Sequence, residues 1–420
     1  VSSPIDLTSP PATTPWRDPA SWWPRLTEAT ADLDPPFGVL SVDALAWNTH
    51  DLLRRANGLP IRVASKSVRV RGVLDSVLAV PGYAGVLAYT LPEALWLAAG
   101  DRGHRDVVVA YPSADRGALR ALAQSEELTS RVTIMVDDVA QLDLMDSVVA
   151  PANRPEVRVC LELDAAYRHP VLGHIGVRRS PVREAHELQR LATVVGARDG
   201  FRLVGVMAYE AQIAGRGNAG GGMGRVMRAI QQASATELAE RRGAAVAAVR
   251  RVADLEFVNG GGTGSIESTH ADGSVTEVAA GSGLFGPHLF DGYEHFQPAP
   301  AASFALSVVR RPTGPDGDIV TVLGGGWIAS GAPGASRMPE FIWPQGLSYL
   351  GREGAGEVQT PLQGDAARRL RVGDRVWARH TKAGELSEHV NELVLVSTAD
   401  GGAAVVGSVP TYRGEGKAFL

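Results

Sequence analysis

Short apolar runs alternate with amphipathic stretches through the middle of this chain. The runs lie at 60–65 (PIRVAS), 85–89, 106–111, 131–136, 157–163, 201–208, 255–259 and 276–280. They are rich in Val, Leu and Ala and bounded by polar turns, so they read as strands covered on both faces. Apolar positions recur at helical spacing near 70–79, 91–100, 115–127, 138–148, 183–197 and 222–252. Eight strands alternating mostly with helices predict an α/β fold, a (β/α)8 TIM-type barrel. The link between the last two strands is short for a helix.

The pattern differs on either side. Phe37 to Asp43 reads as a strand, with Asp43 as N-cap of a helix that runs to about Ala56 and ends at Asn57-Gly58. After about residue 296 the segments Ala305–Val309, Ile319–Leu323, Glu357–Thr360, Arg375–Ala378 and Leu393–Val396 read as strands with no helices of length between them. They predict a C-terminal all-β domain. The expected organisation is an arm at 1–36 that packs on the β-domain through Trp16, Trp22 and Trp23, a barrel at 37–295, and the β-domain at 296–420. Strand 37–43 and the arm are candidates to join the β-domain's sheet.

Composition narrows the function. Apolar residues make up 45 % and charged residues 21 %, as in ordinary globular proteins. A net charge of -5 without a Lys/Arg run argues against nucleic acid or an anionic membrane as partner. No apolar stretch is long enough to span a bilayer, and the first residues lack the basic start and apolar run of a signal peptide. Cys160 is the single cysteine, which excludes an intramolecular disulfide and a cysteine-clustered metal site. A cytoplasmic protein is expected.

In such a barrel the chemistry sits at the C-terminal strand ends. These carry Lys66, Tyr89-Thr90, Tyr111-Pro112, Asp137-Asp138, Asp164, Tyr209-Glu210, the turn Asn259-Gly260-Gly261-Gly262-Thr263-Gly264-Ser265, and Gly281-Ser282-Gly283. Lys66 reads either as a solvated strand-end lysine or as an amine whose partial burial suits it to form a Schiff base. The glycine-rich turn after the seventh strand suits a phosphate, with backbone N–H groups converging and Thr263 and Ser265 adding hydroxyls. A lysine after the first strand and a phosphate cradle after the seventh suggest pyridoxal 5'-phosphate, held by its aldehyde and its phosphate. The Asn218–Gly224 segment reads as a loop at the barrel mouth, a candidate lid.

Four pieces together resemble the fold-type III pyridoxal-phosphate enzymes, the alanine racemase N-terminal-domain superfamily, on its D-threonine aldolase and D-serine dehydratase branch. They are Val42-Asp43-Ala44-Leu45…Asn48, Val63-Ala64-Ser65-Lys66-Ser67, Gly205-Val206-Met207-Ala208-Tyr209-Glu210, and Gly261-Gly262-Thr263-Gly264-Ser265. The resemblance implies that Lys66 is the Schiff-base lysine and a base at the substrate α-carbon. It implies that Arg179, or its neighbour Arg178, faces the cofactor's phenolate oxygen and that Tyr209 lies beside the ring. Gly262, Thr263, Gly264 and Ser265 would form the phosphate cup, with Gly281 and Ser282 as its second half; a family tyrosine in that second turn is replaced by Gly283.

The branch also binds a divalent metal through a His-x-Asp or His-x-Cys pair. Here Arg379-His380-Thr381-Lys382 offers His380 as first ligand, but a protonated Lys382 has no acceptor. Glu385, Glu388 or His389 could replace it, or the Lys382 charge could stand in for the ion. His380 is also a candidate catalytic acid or base at a substrate β-hydroxyl. The resemblance therefore implies a homodimeric lyase acting on a D-configured β-hydroxy amino acid by retro-aldol cleavage. Dehydration to a 2-oxo acid and ammonia is the alternative. A racemase ranks lower, since neither Tyr349 nor Tyr412 sits in the racemase motif.

Overall fold

The computed structural model describes residues 5–312, 318–398 and 402–420. The chain folds into two compact units. One comprises Leu52–Lys66, Pro81–Gly281 and Phe419–Leu420; the other is built from the segments up to Asp51, Ser67–Val80 and Ser282–Ala418.

The first unit holds a closed barrel of eight parallel strands. In chain order they are Ile61–Ala64, Tyr83–Ala88, Val107–Val109, Val132–Val136, Val157–Glu162, Phe201–Ala208, Phe257–Gly260 and Glu277–Ala280. Each pairs with its neighbour in sequence, and the last closes on the first, with Val278 opposite Ile61. Inward side chains make a continuous apolar filling that includes Leu87, Val108, Met135, Cys160, Met207 and Phe257. Cys160 is therefore core, and burial pushes its thiol well up from its ordinary range.

A small polar cluster breaks the apolar rule inside the barrel. Arg62 is 2 % exposed and lies inside the run read as apolar. Its guanidinium donates to both Glu277 oxygens at 2.6 and 2.9 Å and to Asp106 at 2.9 Å. Asn259 donates to the same Glu277 at 2.8 Å. A buried charge persists only when paired and hydrogen-bonded in this way.

The helices follow the expected spans with one break. The stretch expected as one helix at 115–127 is two, Arg116–Ala123 and Glu126–Arg131, because Ser125 caps the second by accepting the Leu128 N–H at 3.2 Å. The last inter-strand link carries only the short helix Ile266–His270. Segment 164–177, beyond the fifth barrel strand, forms a hairpin of Tyr167–His169 and Gly173–Ile175. The expected loop at 218–224 is short: the helix Gly222–Val249 begins within it, and buried Asn218 donates to Gln231 at 2.9 Å.

The second unit contains a nine-stranded sheet. Phe37–Ser41 lies inside it, antiparallel to Ala302–Arg310 (Phe37 opposite Ala305) and parallel to Glu392–Ser397 (Gly38 opposite Leu393). Thus the strand beginning at Phe37 belongs to this sheet, and the barrel strands begin at Ile61. The helix after Phe37–Ser41 starts at Val42, and its first turn is met by Ser41, whose hydroxyl accepts the Ala44 N–H at 3.3 Å. Asp43, expected as the cap, instead accepts the Thr398 N–H at 2.7 Å. The helix Pro19–Ala29 packs on the strand Arg375–Arg379: Trp377 donates from Nε1 to Thr27 at 2.8 Å and its ring lies 5.9 Å from that of Trp23.

Candidate active site

Lys66 follows the first barrel strand in a single 3-10 turn, Ser65–Ser67, and its Nζ donates to the Tyr111 hydroxyl at 3.2 Å. Tyr111 follows the third barrel strand. The Arg179 guanidinium stands 5.1 Å from the Tyr111 ring centroid and 5.1 Å from that of Tyr209, which follows the sixth strand. One amine, two phenols and one guanidinium thus meet at the C-terminal end of the barrel. Burial raises the Tyr111 phenol, but the cationic Lys66 and Arg179 outweigh it, and the net shift is downward. Burial pushes Tyr209 up to about 12 despite Arg179. Glu162, at the end of the fifth strand, is pushed up to about 7 by burial, with Arg179 opposing and Asp137 and Asp164 reinforcing.

The glycine-rich turn packs directly on this cluster. A Cβ at Gly262 would come within 2.8 Å of the Ala214 Cβ and 3.1 Å of Tyr209 Cε2. A Cβ at Gly281 would lie 2.2 Å from the Ala64 carbonyl oxygen. Gly261 adopts φ +83°, a conformation that favours glycine. The turn is shaped from beneath by Glu210, which is 2 % exposed. Its carboxylate accepts the Gly261 N–H at 3.1 Å, the Thr269 hydroxyl at 2.5 Å and the Ser265 hydroxyl at 3.4 Å. Arg242, on the helix Gly222–Val249 and 1 % exposed, donates to Glu210 at 3.2 Å. The Ser265 hydroxyl is therefore turned onto Glu210 and Gly262. Arg55 donates to the Thr263 carbonyl at 2.7 Å.

The structure thus gathers Lys66, Arg179, Tyr209, Gly262 and its turn through Ser265, and Gly281 in one unit. Arg179 is the arginine that meets the tyrosines. Ser282 and His380 belong to the other unit. From the sequence, Tyr111 and Glu210 read as polar strand ends without an assigned role and Glu162 as a residue that could orient Arg168 or Arg179; the structure sets Tyr111 against Lys66, Glu162 in the field of Arg179 and Glu210 beneath the turn. Asp137 and Asp138 serve the helix Val139–Val148 as a cap: Asp138 accepts the Ala140 N–H at 2.8 Å and Asp137 bonds Gln141. Asp164 pairs with Arg183 at 3.3 Å. His169 accepts the Val171 and Leu172 N–H groups at the hairpin tip.

His380 is 1 % exposed, and neither ring nitrogen makes a hydrogen bond of ordinary geometry among the described residues, although the Ala302 backbone lies near enough to favour its charged form. Burial pushes it down to about 4, with Arg379 and His288 adding to the shift and Glu385 opposing. It is neutral at physiological pH. The residues that could complete a metal site with it are engaged elsewhere. Glu385 accepts the Lys382 N–H at 2.6 Å and the Ala383 N–H at 2.8 Å, one on each oxygen. Glu388 pairs with Arg69 at 2.5 Å. His389 stacks on Trp327 at 5.0 Å, with the rings 3° from parallel. Among the described residues no three His, Cys, Asp or Glu side chains converge. No described helix is long and apolar enough to cross a membrane.

No family model matches the chain. Over 261 residues it is 28 % identical to 3-hydroxy-D-aspartate aldolase of Paracoccus denitrificans, a match covering 61 % of each chain. The chain thus spans about three-fifths of the length of that relative. D-threonine aldolase from Filomicrobium marinum superposes with a TM-score of 0.75 at 22 % identity, over 91 % of this chain and 96 % of that one. For D-threo-3-hydroxyaspartate dehydratase from Delftia sp. HT23 the TM-score is 0.69 at 21 % identity, over 89 % and 97 %. The chain has their fold, a closed parallel barrel with an additional, mostly antiparallel sheet.

Proposed function

We propose that this chain is a fold-type III pyridoxal-phosphate lyase that cleaves a D-configured β-hydroxy amino acid into an amino acid and an aldehyde, a reading supported by its fold and by its similarity to 3-hydroxy-D-aspartate aldolase. The observation that carries this reading is the meeting of Lys66, Arg179 and Tyr209 beside a turn whose Gly262 leaves no room for a side chain. The 28 % identical aldolase supports the choice of reaction.

The residues fit pyridoxal 5'-phosphate. Lys66 would hold its aldehyde carbon, the turn Gly261–Ser265 and Gly281-Ser282 its phosphate, and Arg179 and Tyr209 its ring. When bound, the cofactor supplies an electron sink for the pair released as a bond at the substrate α-carbon breaks. Everything else falls to the chain. Lys66 carries the proton that the α-carbon gains after cleavage. By the resemblance His380, buried and neutral, would be the base for the β-hydroxyl proton. Arg179 places a fixed positive charge at the mouth, beside both phenols.

The residues do not fit a divalent cation. His380 stands alone, since Lys382 lacks an acceptor and both Glu385 oxygens are committed to backbone N–H groups. This donor set departs from the His-x-Asp and His-x-Cys pairs alike, and the choice of cleavage over dehydration rests on the similarity to the aldolase. The test is to load the chain with pyridoxal 5'-phosphate, reduce with borohydride and map the modified peptide. We expect modification of Lys66, and acetaldehyde from D-threonine but not from L-threonine. Failure to take up the cofactor, or 2-oxo acid as the main product, overturns the reading.

A further inference from the structure

The third barrel strand presents one residue whose position the lyase reading does not require. Tyr111 is held in place from three sides: Lys66 Nζ lies 3.2 Å from its hydroxyl, the Arg179 guanidinium stands 5.1 Å from its ring, and its Ala110 neighbour is locked into the barrel filling. A phenol in hydrogen-bond contact with an amine can share a proton with it, and a nearby guanidinium stabilises the phenolate that remains. The charged and titratable groups around this hydroxyl are Lys66, Arg179, Glu162 and Tyr209. The two cations among them draw the phenol's titration below its ordinary value in spite of burial, the direction a proton donor near neutrality needs.

We propose that Tyr111 is the proton partner of Lys66: the phenol passes its proton to the Lys66 amine as that amine delivers one to the substrate α-carbon. This rests on the lyase reading. The proton count closes. The Lys66 N–H bond breaks as the α-C–H bond forms, using the electron pair left by cleavage. The Tyr111 O–H bond breaks as the Lys66 N–H bond re-forms. The phenolate then takes a proton from water, and the hydroxide so formed is neutralised by the proton that His380 took from the β-hydroxyl. In the synthetic direction the same steps run backwards, and Tyr111 receives the α-proton by way of Lys66.

Glycine is the probe, because its α-proton exchanges without any carbon–carbon bond being made or broken. The full chain, loaded with pyridoxal 5'-phosphate, is placed in D2O with glycine and the α-proton signal is followed by NMR. Tyr111→Phe removes one oxygen and keeps the ring that Arg179 faces. We expect exchange to fall by about 100-fold, the usual weight of one acid–base group. Cofactor affinity by fluorescence titration and the half-saturating glycine concentration should stay within about twofold, as for a group that acts in proton transfer only. A packing role would move those two instead. An independent measurement uses the full chain without cofactor, labelled with carbon-13 at the tyrosine ζ carbon. Eight tyrosines give eight signals, and Tyr111→Phe identifies the one that matters. Lys66→Met should move its titration to higher pH, because the cation that lowers it is gone. Exchange in Tyr111→Phe within about twofold of the parent overturns the role. So does a Tyr111 titration indifferent to Lys66. A parent that takes up no cofactor removes the lyase reading and this role with it, whereas a parent that exchanges glycine equally with and without the hydroxyl removes this role alone.

Discussion

Replacing Glu162 by glutamine should stabilise the chain at pH 8 and leave its stability almost unchanged at pH 5. Glu162 is 4 % exposed, and burial lifts its carboxyl from 4.5 to about 7. Its folded pKa therefore lies above its unfolded one. Between these values the folded chain keeps a proton that the unfolded chain has released. The stability is fully present below about 4.5 and is lost as pH rises through about 7. The interval corresponds to about 3 kcal/mol at 1.36 kcal/mol per pH unit. Glutamine has the shape of the protonated acid and does not ionise, so the variant should lack this loss. The assay is urea unfolding of the cofactor-free chain and variant at pH 5 and pH 8, comparing the two differences in unfolding free energy. Arg179 is the opposing influence, since its charge favours the carboxylate. A variant-minus-parent difference that changes by less than about 1 kcal/mol between the two pH values would mean that Arg179 holds Glu162 ionised, and the argument from burial would fail.

Lys382→Asp should create a divalent-cation site with His380: calorimetric titration with Mn2+ is expected to show about one ion bound by the variant and none by the parent, by the preference of such ions for carboxylate and imidazole donors. Stoichiometric binding by the parent would refute the account of Lys382. Gly262→Ala forces a methyl group toward Ala214 and the Tyr209 ring, and should weaken pyridoxal 5'-phosphate binding roughly tenfold or more in a fluorescence titration. Arg62→Met leaves Glu277 buried without its partner and should cost roughly 3–5 kcal/mol in chemical unfolding, with the loss shared by any cofactor-free preparation.

The barrel was legible because each of its strands is covered on both faces, which forces the short apolar runs that stand out between amphipathic helices. The glycine turn was legible for a related reason: close backbone approach to Tyr209 excludes any side chain at Gly262, and composition records that exclusion. Arg62 was hidden by the same rule, since its partners Glu277 and Asp106 lie far along the chain and only the closed barrel brings them together. Glu210 and Arg242 were hidden likewise, one at a strand end and the other deep in a 28-residue helix. Tyr111 and Glu162 stood among the polar strand ends, yet nothing local distinguishes them from Tyr89 or Asp164. In the second unit, Glu340–Trp343, Ser348–Tyr349 and Ala404–Pro410 escaped notice as strands. They are short or exposed, and an exposed strand shows no apolar alternation.

The placement of Phe37–Ser41 between Ala302–Arg310 and Glu392–Ser397 has a consequence for how the chain is made. A ribosome releases this strand before the barrel, but its partners are synthesised some hundreds of residues later. At roughly 5–20 residues per second the wait for the second partner is on the order of twenty to seventy seconds. Until Ala302–Arg310 emerges the apolar strand has no sheet to join, and the tryptophans of the preceding helix wait longer for Arg375–Arg379, although every barrel strand from Ile61 to Ala280 is complete before either. The nascent chain therefore carries an exposed, aggregation-prone strand while the whole barrel is being made. Expression at low temperature, or with holdase chaperones in excess, should raise the soluble yield more than any change made within the barrel.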